Sequence, residues 1–343
     1  MTPLRIGIAG PGAIGQTHAD AIRAIPGLQL AAVAGGTHAQ RARCAVPGFQ
    51  TVQEMLAATA LDAVAICTPS GAHLAPALAS LQAGRHVLVE KPLCTDPAEA
   101  ALLVRTAAAL NLVCATVSQR RLEPQHALLK SLLDTGLLGQ TRLIEASVHW
   151  FRPDSYYAEK PWRTDPSQGG GSLFNQGIHS LDLMLFLLGP VTRVQAMTGT
   201  LGHALPVEDT CLATLLFAQG AMGLLATSTA LPPGRPATLR LFTGLGSCEL
   251  ENDRITRWEF PGVPQPLDGG GTGDGASDPM AIGLAGHIAQ WQDFAAAIRH
   301  GTPPSSTGQD GFEAVRTVAA IYRSAEQHRA VGPAEFPLDA EPP

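Results

Sequence analysis

The hydrophobic pattern of this chain changes character part-way along. In the first 120 residues, short unbroken apolar runs recur at Leu4–Ala9, Leu28–Ala34, Ala63–Cys67, His86–Val89 and Val113–Val117. Helical spacing lies between them, up to about Ile25 and at about 73–83 and 96–110. Strands without a polar face belong to a sheet covered on both sides, and helical crossovers join parallel neighbours. A helix at Pro124–Thr135 then ends at Gly136, and the runs lengthen and alternate with period two. They are Thr141–Trp150, Val191–Leu201, Thr210–Phe217, Ala221–Ala230, Ala237–Phe242, Ser247–Glu251 and Ile255–Phe260. Gly or Pro punctuates many of the connections, which predicts an antiparallel or mixed sheet. A helix at about 174–188 interrupts it, and helices at about 281–300 and 309–328 close the chain. The Pro/Gly-rich stretch 261–279 predicts a loop, and the Pro-rich 332–343 a frayed tail. The fold class is α/β, with a parallel-sheet domain over 1–120 and an α/β domain with a mostly antiparallel or mixed sheet over 121–343.

Composition narrows the field. With 343 residues and 45% apolar content, the chain can build two cored domains. A net charge of −6 without a basic run argues against nucleic acid as the main partner. No apolar run approaches the ~20 residues of a membrane span, and no leader pattern precedes the first strand. The cytoplasm is the expected location. Six cysteines are scattered without C-x-x-C or zinc-ligand spacing, so they are read as small buried hydrophobes, with no metal expected. Lysine is rare: only Lys91, Lys130 and Lys160 occur.

Gly10-Pro11-Gly12-Ala13-Ile14-Gly15 follows the first strand and opens the first helix, the context in which G-x-G-x-x-G points to a dinucleotide. Gly10 permits the tight turn, Gly12 lets a pyrophosphate approach the backbone, and Gly15 lets helix and strand pack closely. The helix start at Ala13, Ile14 and Gly15 offers N–H groups to phosphate. A plain tight turn is the alternative. After the second strand, where an acid usually holds the ribose of NAD, the chain reads Gly35-Gly36-Thr37-His38-Ala39-Gln40-Arg41. Without that acid a 2′-phosphate meets no repulsion. Thr37 can hydrogen-bond it and Arg41 or Arg43 can pair with it, so NADP is favoured over NAD. Alternatively these arginines only solvate the next helix.

Glu90-Lys91-Pro92 leaves the carboxyl end of a strand, the edge where open parallel sheets bind ligands. An ammonium there can polarise a carbonyl or a substrate hydroxyl, unless Lys91 is an ordinary strand-end lysine. Gly169-Gly170-Gly171 leads into a helix on which Asn175, His179 and Asp182 fall at i, i+4 and i+7, one face. A neutral His179 can take a proton from an alcohol; a satisfied core histidine is the bland alternative.

Taken together these motifs resemble the Gfo/Idh/MocA family. The resemblance rests on the glycine loop with His18 after it, Thr68-Pro69-Ser70 with His73, Glu90-Lys91-Pro92 and Arg121-Leu122-Glu123-Pro124. It continues through the triple glycine to His179 and Asp182, Val207-Glu208-Asp209-Thr210 and Ile321-Tyr322-Arg323-Ser324. It implies a Rossmann domain, and a second domain whose open sheet joins subunits into a homodimer or homotetramer. It implies hydride transfer between a sugar, inositol or nucleotide-sugar alcohol and nicotinamide, with Lys91 and His179 catalytic. Thr68, Pro69, His73 and Glu90 would line the cofactor, and the Lys91–Pro92 peptide is often cis in relatives.

Many members carry Asp where this chain has Asn175. The wording Asn-Gln-Gly-Ile-His, with Tyr156-Tyr157 and Trp162-Arg163, resembles a subgroup that includes nucleotide-sugar 3-dehydrogenases. Arg121, Tyr157, Arg163 and Asn175 are then expected at the substrate, although loop packing also explains the aromatic pair. Asp182 is expected to orient His179. Three other readings stay open: a reductase of non-sugar carbonyls or dihydrodiols, a non-catalytic dinucleotide sensor, and a glycosidase that uses bound nicotinamide transiently.

Overall fold

In a computed structural model of the protein, which describes residues 2–266 and 284–342, the early apolar runs become strands of one sheet. β1 (Leu4–Ala9), β2 (Leu28–Ala34), β3 (Gly48–Phe49), β4 (Ala63–Ile66), β5 (His86–Val89) and β6 (Cys114–Thr116) are parallel, in the order β3-β2-β1-β4-β5-β6. Helices α1 (Ala13–Arg23), α2 (His38–Arg43), α3 (Val52–Ala58), α4 (Leu74–Gln82) and α5 (Pro97–Ala109) connect them. Two apolar layers cover the sheet, one with Leu81, Val87 and Val89, the other with Ile6, Ile8, Ile22 and Leu88. The strand order reverses between β1 and β4, so the carboxyl ends of these neighbours flank a crevice suited to a ligand. The periodicity leaves out α2 and α3, each too short to show a face. Both begin with a capping box, Thr37 with Gln40 and Thr51 with Glu54.

Beyond α6 (Pro124–Asp134) a second sheet begins at β7 (Thr141–His149). After α7 (Asp154–Ala158) and α8 (Ile178–Leu188) it continues with β8 (Val191–Gly199), β9 (Thr210–Phe217), β10 (Met222–Ser228), β11 (Thr238–Thr243), β12 (Ser247–Glu251) and β13 (Arg254–Glu259). The order is β13-β12-β11-β7-β10-β9-β8, with β10 parallel to β7 and the other pairs antiparallel. Period-two alternation places Ile144, Ala146, Val148, Ala213, Leu215 and Leu225 inside, where α8 packs on β7. Met197, Leu212, Met222 and Leu224 remain exposed.

The closing helices α9 (Leu284–His300) and α10 (Gly308–Gln327) complicate a single cut at residue 120. One compact unit comprises Met1–Gln119, Leu284–Val315 and Leu338–Pro343; the other comprises Arg120–Gly283 and Arg316–Pro337. The return has a hydrophobic cause: Trp291, Phe294 and Phe312 are fully buried in the layers around the parallel sheet. The tail differs from expectation as well. Val331 pairs with Val194 through both backbone groups, and Arg105 donates to the carbonyls of Leu338 and Ala340. Most of the expected 261–279 loop lies outside the described residues, as does the start of the helix expected from 281. All six cysteines are buried free thiols. Among the described residues no helix is long and apolar enough to cross a membrane.

Candidate active site

The glycine loop has the shape its residues require. Gly10 has φ +91°, and a Cβ there would lie 2.5 Å from the carbonyl oxygen of Cys67. A Cβ on Gly15 would lie 2.2 Å from the Gly10 carbonyl oxygen, so α1 starts hard against the turn. A Cβ on Gly12 would meet nothing within 4 Å. Gly12 also caps α1 without a side chain, so no side-chain cap takes the first-turn N–H groups from Ala13 to Gly15. Close packing at two glycines and space at the third make a cradle that fits a pyrophosphate.

At the end of β2 the chain turns through Gly35 and Gly36, both with positive φ. The Arg41 guanidinium lies back on this turn and donates to Gly35 O at 3.0 Å and Gly36 O at 2.7 Å. Thr37 uses its hydroxyl oxygen to cap α2, accepting from the Gln40 N–H at 3.2 Å.

The next two strand ends are tied to each other. His73 is buried, with Nδ1 2.8 Å from Pro92 O and Nε2 2.9 Å from Thr68 O. Burial lowers its pKa despite these carbonyls, and the ring bridges the Thr68–Pro69 turn and the Lys91–Pro92 turn. The Lys91–Pro92 peptide is cis. The Glu90 carboxylate is drawn inward, accepting from His18 Nε2 at 2.8 Å and from the Lys91 N–H at 3.1 Å. The glycine loop, Thr68 and Lys91 thus leave the carboxyl ends of β1, β4 and β5, three adjacent strands.

In the second unit, the helix expected at 174–188 starts with a π-helical turn over Leu173–Gly177 before α8. Wider i→i+5 winding removes Asn175 from strict i, i+4 alignment with His179, and such turns recur at functional sites. Glu208 anchors the entry. Its carboxylate accepts from the Leu173 N–H at 2.8 Å, Tyr322 OH at 3.1 Å and Ser172 Oγ at 3.3 Å. Burial lifts its pKa to about 7, against the pull of those donors. Gly171, with φ +103°, leaves room for this carboxylate, since a Cβ there would sit 1.9 Å from Oε2.

The expected substrate residues fall into distinct arrangements. Asn175 Nδ2 and Gln176 Nε2 reach Tyr156 OH at 3.2 and 3.3 Å. Arg163 stacks on the Tyr156 ring, 3.7 Å from its centroid, and donates to the Tyr156 carbonyl. Tyr157 turns inward instead: it is buried, its hydroxyl 2.6 Å from Thr229 Oγ1 and its ring against His203. Arg121 and Asp182 form a buried two-pronged pair at 3.0 and 2.7 Å. The two-pronged geometry is that of a charge-assisted guanidinium–carboxylate pair. His179 is half-buried on the first turn of α8. Tyr156, Glu208 and His18 carry no expected role in the sequence, although each stands in a motif on which the resemblance rests.

Residues 4–118 match the oxidoreductase family with an NAD-binding Rossmann fold, and 126–249 match the GFO/IDH/MocA C-terminal domain. The chain belongs to the GFO/IDH/MocA oxidoreductase family. Among solved relatives, the WlbA dehydrogenase of Bordetella pertussis, in complex with NADH and UDP-GlcNAcA, is 28% identical. It has a TM-score of 0.86 and covers 96% of this chain and 98% of that one. An inositol 2-dehydrogenase of Mycolicibacterium smegmatis is 29% identical over 357 residues, 94% of each chain. A 4-carboxy-2-hydroxymuconate-6-semialdehyde dehydrogenase of Sphingobium is 26% identical over 309 residues, covering 89% of this chain and 93% of that one. Membership in the GFO/IDH/MocA family makes this an oxidoreductase with a nicotinamide-dinucleotide domain.

Proposed function

We propose that this protein transfers a hydride between a secondary alcohol of a sugar, inositol or nucleotide sugar and a nicotinamide dinucleotide. One observation carries the reading: the glycine cradle and the Lys91 turn leave the carboxyl ends of β1 and β5, which flank β4 beside the reversal of strand order. Gly10, Gly12 and Gly15, with the first turn of α1, would hold the pyrophosphate. The dinucleotide supplies the hydride acceptor. Lys91 stabilises the developing alkoxide and His179 takes its proton. Asn175, held by the Tyr156 hydroxyl, orients a neighbouring substrate hydroxyl. The nucleotide-sugar class is favoured by the likeness to WlbA over nearly the whole chain.

NADP is the preferred dinucleotide on this reading, because the charged group lying on the Gly35–Gly36 turn is Arg41. A thermal-shift matrix tests both claims, crossing NAD and NADP with inositols, uronic acids and nucleotide sugars; selective binding raises the melting temperature. A larger shift with NAD than with NADP overturns the cofactor assignment. The name of the Sphingobium relative favours a second reading, oxidation of a non-sugar semialdehyde. Turnover of such an aldehyde, with no response to any sugar, would establish it. The exposed apolar side chains of β8, β9 and β10 support assembly of copies through that sheet, checked by light scattering.

A further inference from the structure

Glu90 sits at the centre of a buried hydrogen-bond chain built from three separated stretches of the first unit. The indole N–H of Trp291, on α9, donates to His18 Nδ1 at 2.9 Å. His18, on the helix that follows the glycine loop, contacts Glu90 Oε1 through Nε2 at 2.8 Å. Glu90 Oε2 accepts the backbone N–H of Lys91 at 3.1 Å. All three side chains are buried, and His287 packs edge-on against His18 with Nε2 4.0 Å from Glu90 Oε1.

The donor inventory fixes the direction of this chain. An indole only donates, so His18 Nδ1 is an acceptor and Nε2 carries the proton given to Glu90. Burial opposes a charge on His18, while Cys67 and Glu90 favour one with a net rise in its pKa. The indole decides for the neutral ring, because a second proton on Nδ1 would face a donor. Burial likewise opposes ionisation of Glu90, and the His18 hydrogen bond together with the neighbouring His18, His287 and Lys91 outweighs it, keeping the carboxylate charged. Ligand atoms of His18, Glu90 and His287 lie within 4.8 Å of one another. Hydrogen bonding already accounts for His18 and Glu90.

From this geometry we infer that His18 and Trp291 are positioning residues, which orient Glu90 so that its second oxygen anchors the backbone of Lys91. The role rests on the reading of Lys91 as the group that meets the substrate alcohol. It also links the helix bearing the phosphate cradle to the lysine turn.

The scarcity of lysine supplies the test. Reductive methylation with ¹³C-formaldehyde labels Lys91, Lys130 and Lys160 and the N-terminus of the full-length protein, giving few NMR signals. The Lys91 signal is assigned by its loss in Lys91→Met. His18→Leu breaks the relay and is expected to move or broaden the Lys91 signal alone. His18→Gln, whose amide donates and accepts at once, is expected to restore it. Trp291→Phe keeps the ring but removes the donor, and is expected to give a smaller shift of the same signal. An unmoved Lys91 signal in His18→Leu overturns the proposal. So does equal movement of all three lysine signals, or failure of His18→Gln to restore Lys91 in a folded protein. Full turnover by Lys91→Met would remove the catalytic reading of Lys91 and leave these spectra to decide the relay separately.

Discussion

The two units build their candidate sites in opposite ways. In the first, backbone does most of the placing: a left-handed glycine and a helix start follow β1, and a cis turn follows β5. In the second, side chains distant in sequence do it. Glu208 and Tyr322 hold the entry to the π turn, and Tyr156 holds Asn175. Backbone-built sites fail at single steric positions, whereas side-chain networks fail gradually and respond to pH.

The largest expected effects fall on the two groups assigned to the alcohol proton. Lys91→Met and His179→Ala should each lower kcat by about 10²–10⁴-fold, the usual range for a positioned acid–base group, with dinucleotide affinity retained. Steady-state kinetics with equilibrium dinucleotide titration checks this, and wild-type turnover in His179→Ala removes its role.

Two glycines sharpen the backbone side of the comparison. Gly10→Ala forces a Cβ toward the Cys67 carbonyl at a positive φ, and should lower the melting temperature as well as abolish dinucleotide binding. Gly12→Ala meets only open space, so it should leave the melting temperature of the free protein unchanged while weakening dinucleotide binding. A Gly12→Ala protein with normal affinity would mean that the open space is not the pyrophosphate site.

Adjacent tyrosines test the network side. Tyr156→Phe takes the acceptor from Asn175 and Gln176, and should raise KM several-fold with little change in stability. Tyr157→Phe removes the buried bond to Thr229, and should cost about 1 kcal/mol in denaturation with KM unchanged. The reverse pattern would restore Tyr157 to the substrate.

The smallest effect concerns acidity. Burial lifts Glu208 from 4.5 to about 7 in the folded chain. Between those values the unfolded chain releases a proton that the folded chain keeps. The associated stability is therefore present below pH 4.5 and lost as pH rises through 7. The melting temperature of Glu208→Gln should decline less than that of wild type between pH 5 and pH 8.

The same contrast explains what was legible in the sequence. Gly10, Gly12, Gly15 and Lys91 stand out because each answers to a local backbone demand with a fixed spacing. Both sheets follow from the change in strand periodicity. Tyr156 and Tyr157 are neighbours on one short helix, so residue type alone does not tell which turns inward. The π turn at Leu173–Gly177 leaves no signature in a pattern read at helical spacing, and the Arg121–Asp182 pair joins residues 61 apart. Trp291 and His18 meet across 273 positions, beyond the reach of any local pattern.

The return of α9 and the start of α10 to the parallel sheet has a consequence for synthesis. A ribosome delivers all six strands of that sheet long before Trp291, Phe294 and Phe312, which complete its apolar layers. Until those residues emerge, the nascent nucleotide domain exposes Ile6, Ile8, Leu88 and Val89 neighbours that later become solvent-free. Its final closure is therefore a long-range event, slow by topology and open to chaperone capture. The domain that appears first from the ribosome is among the last to be finished.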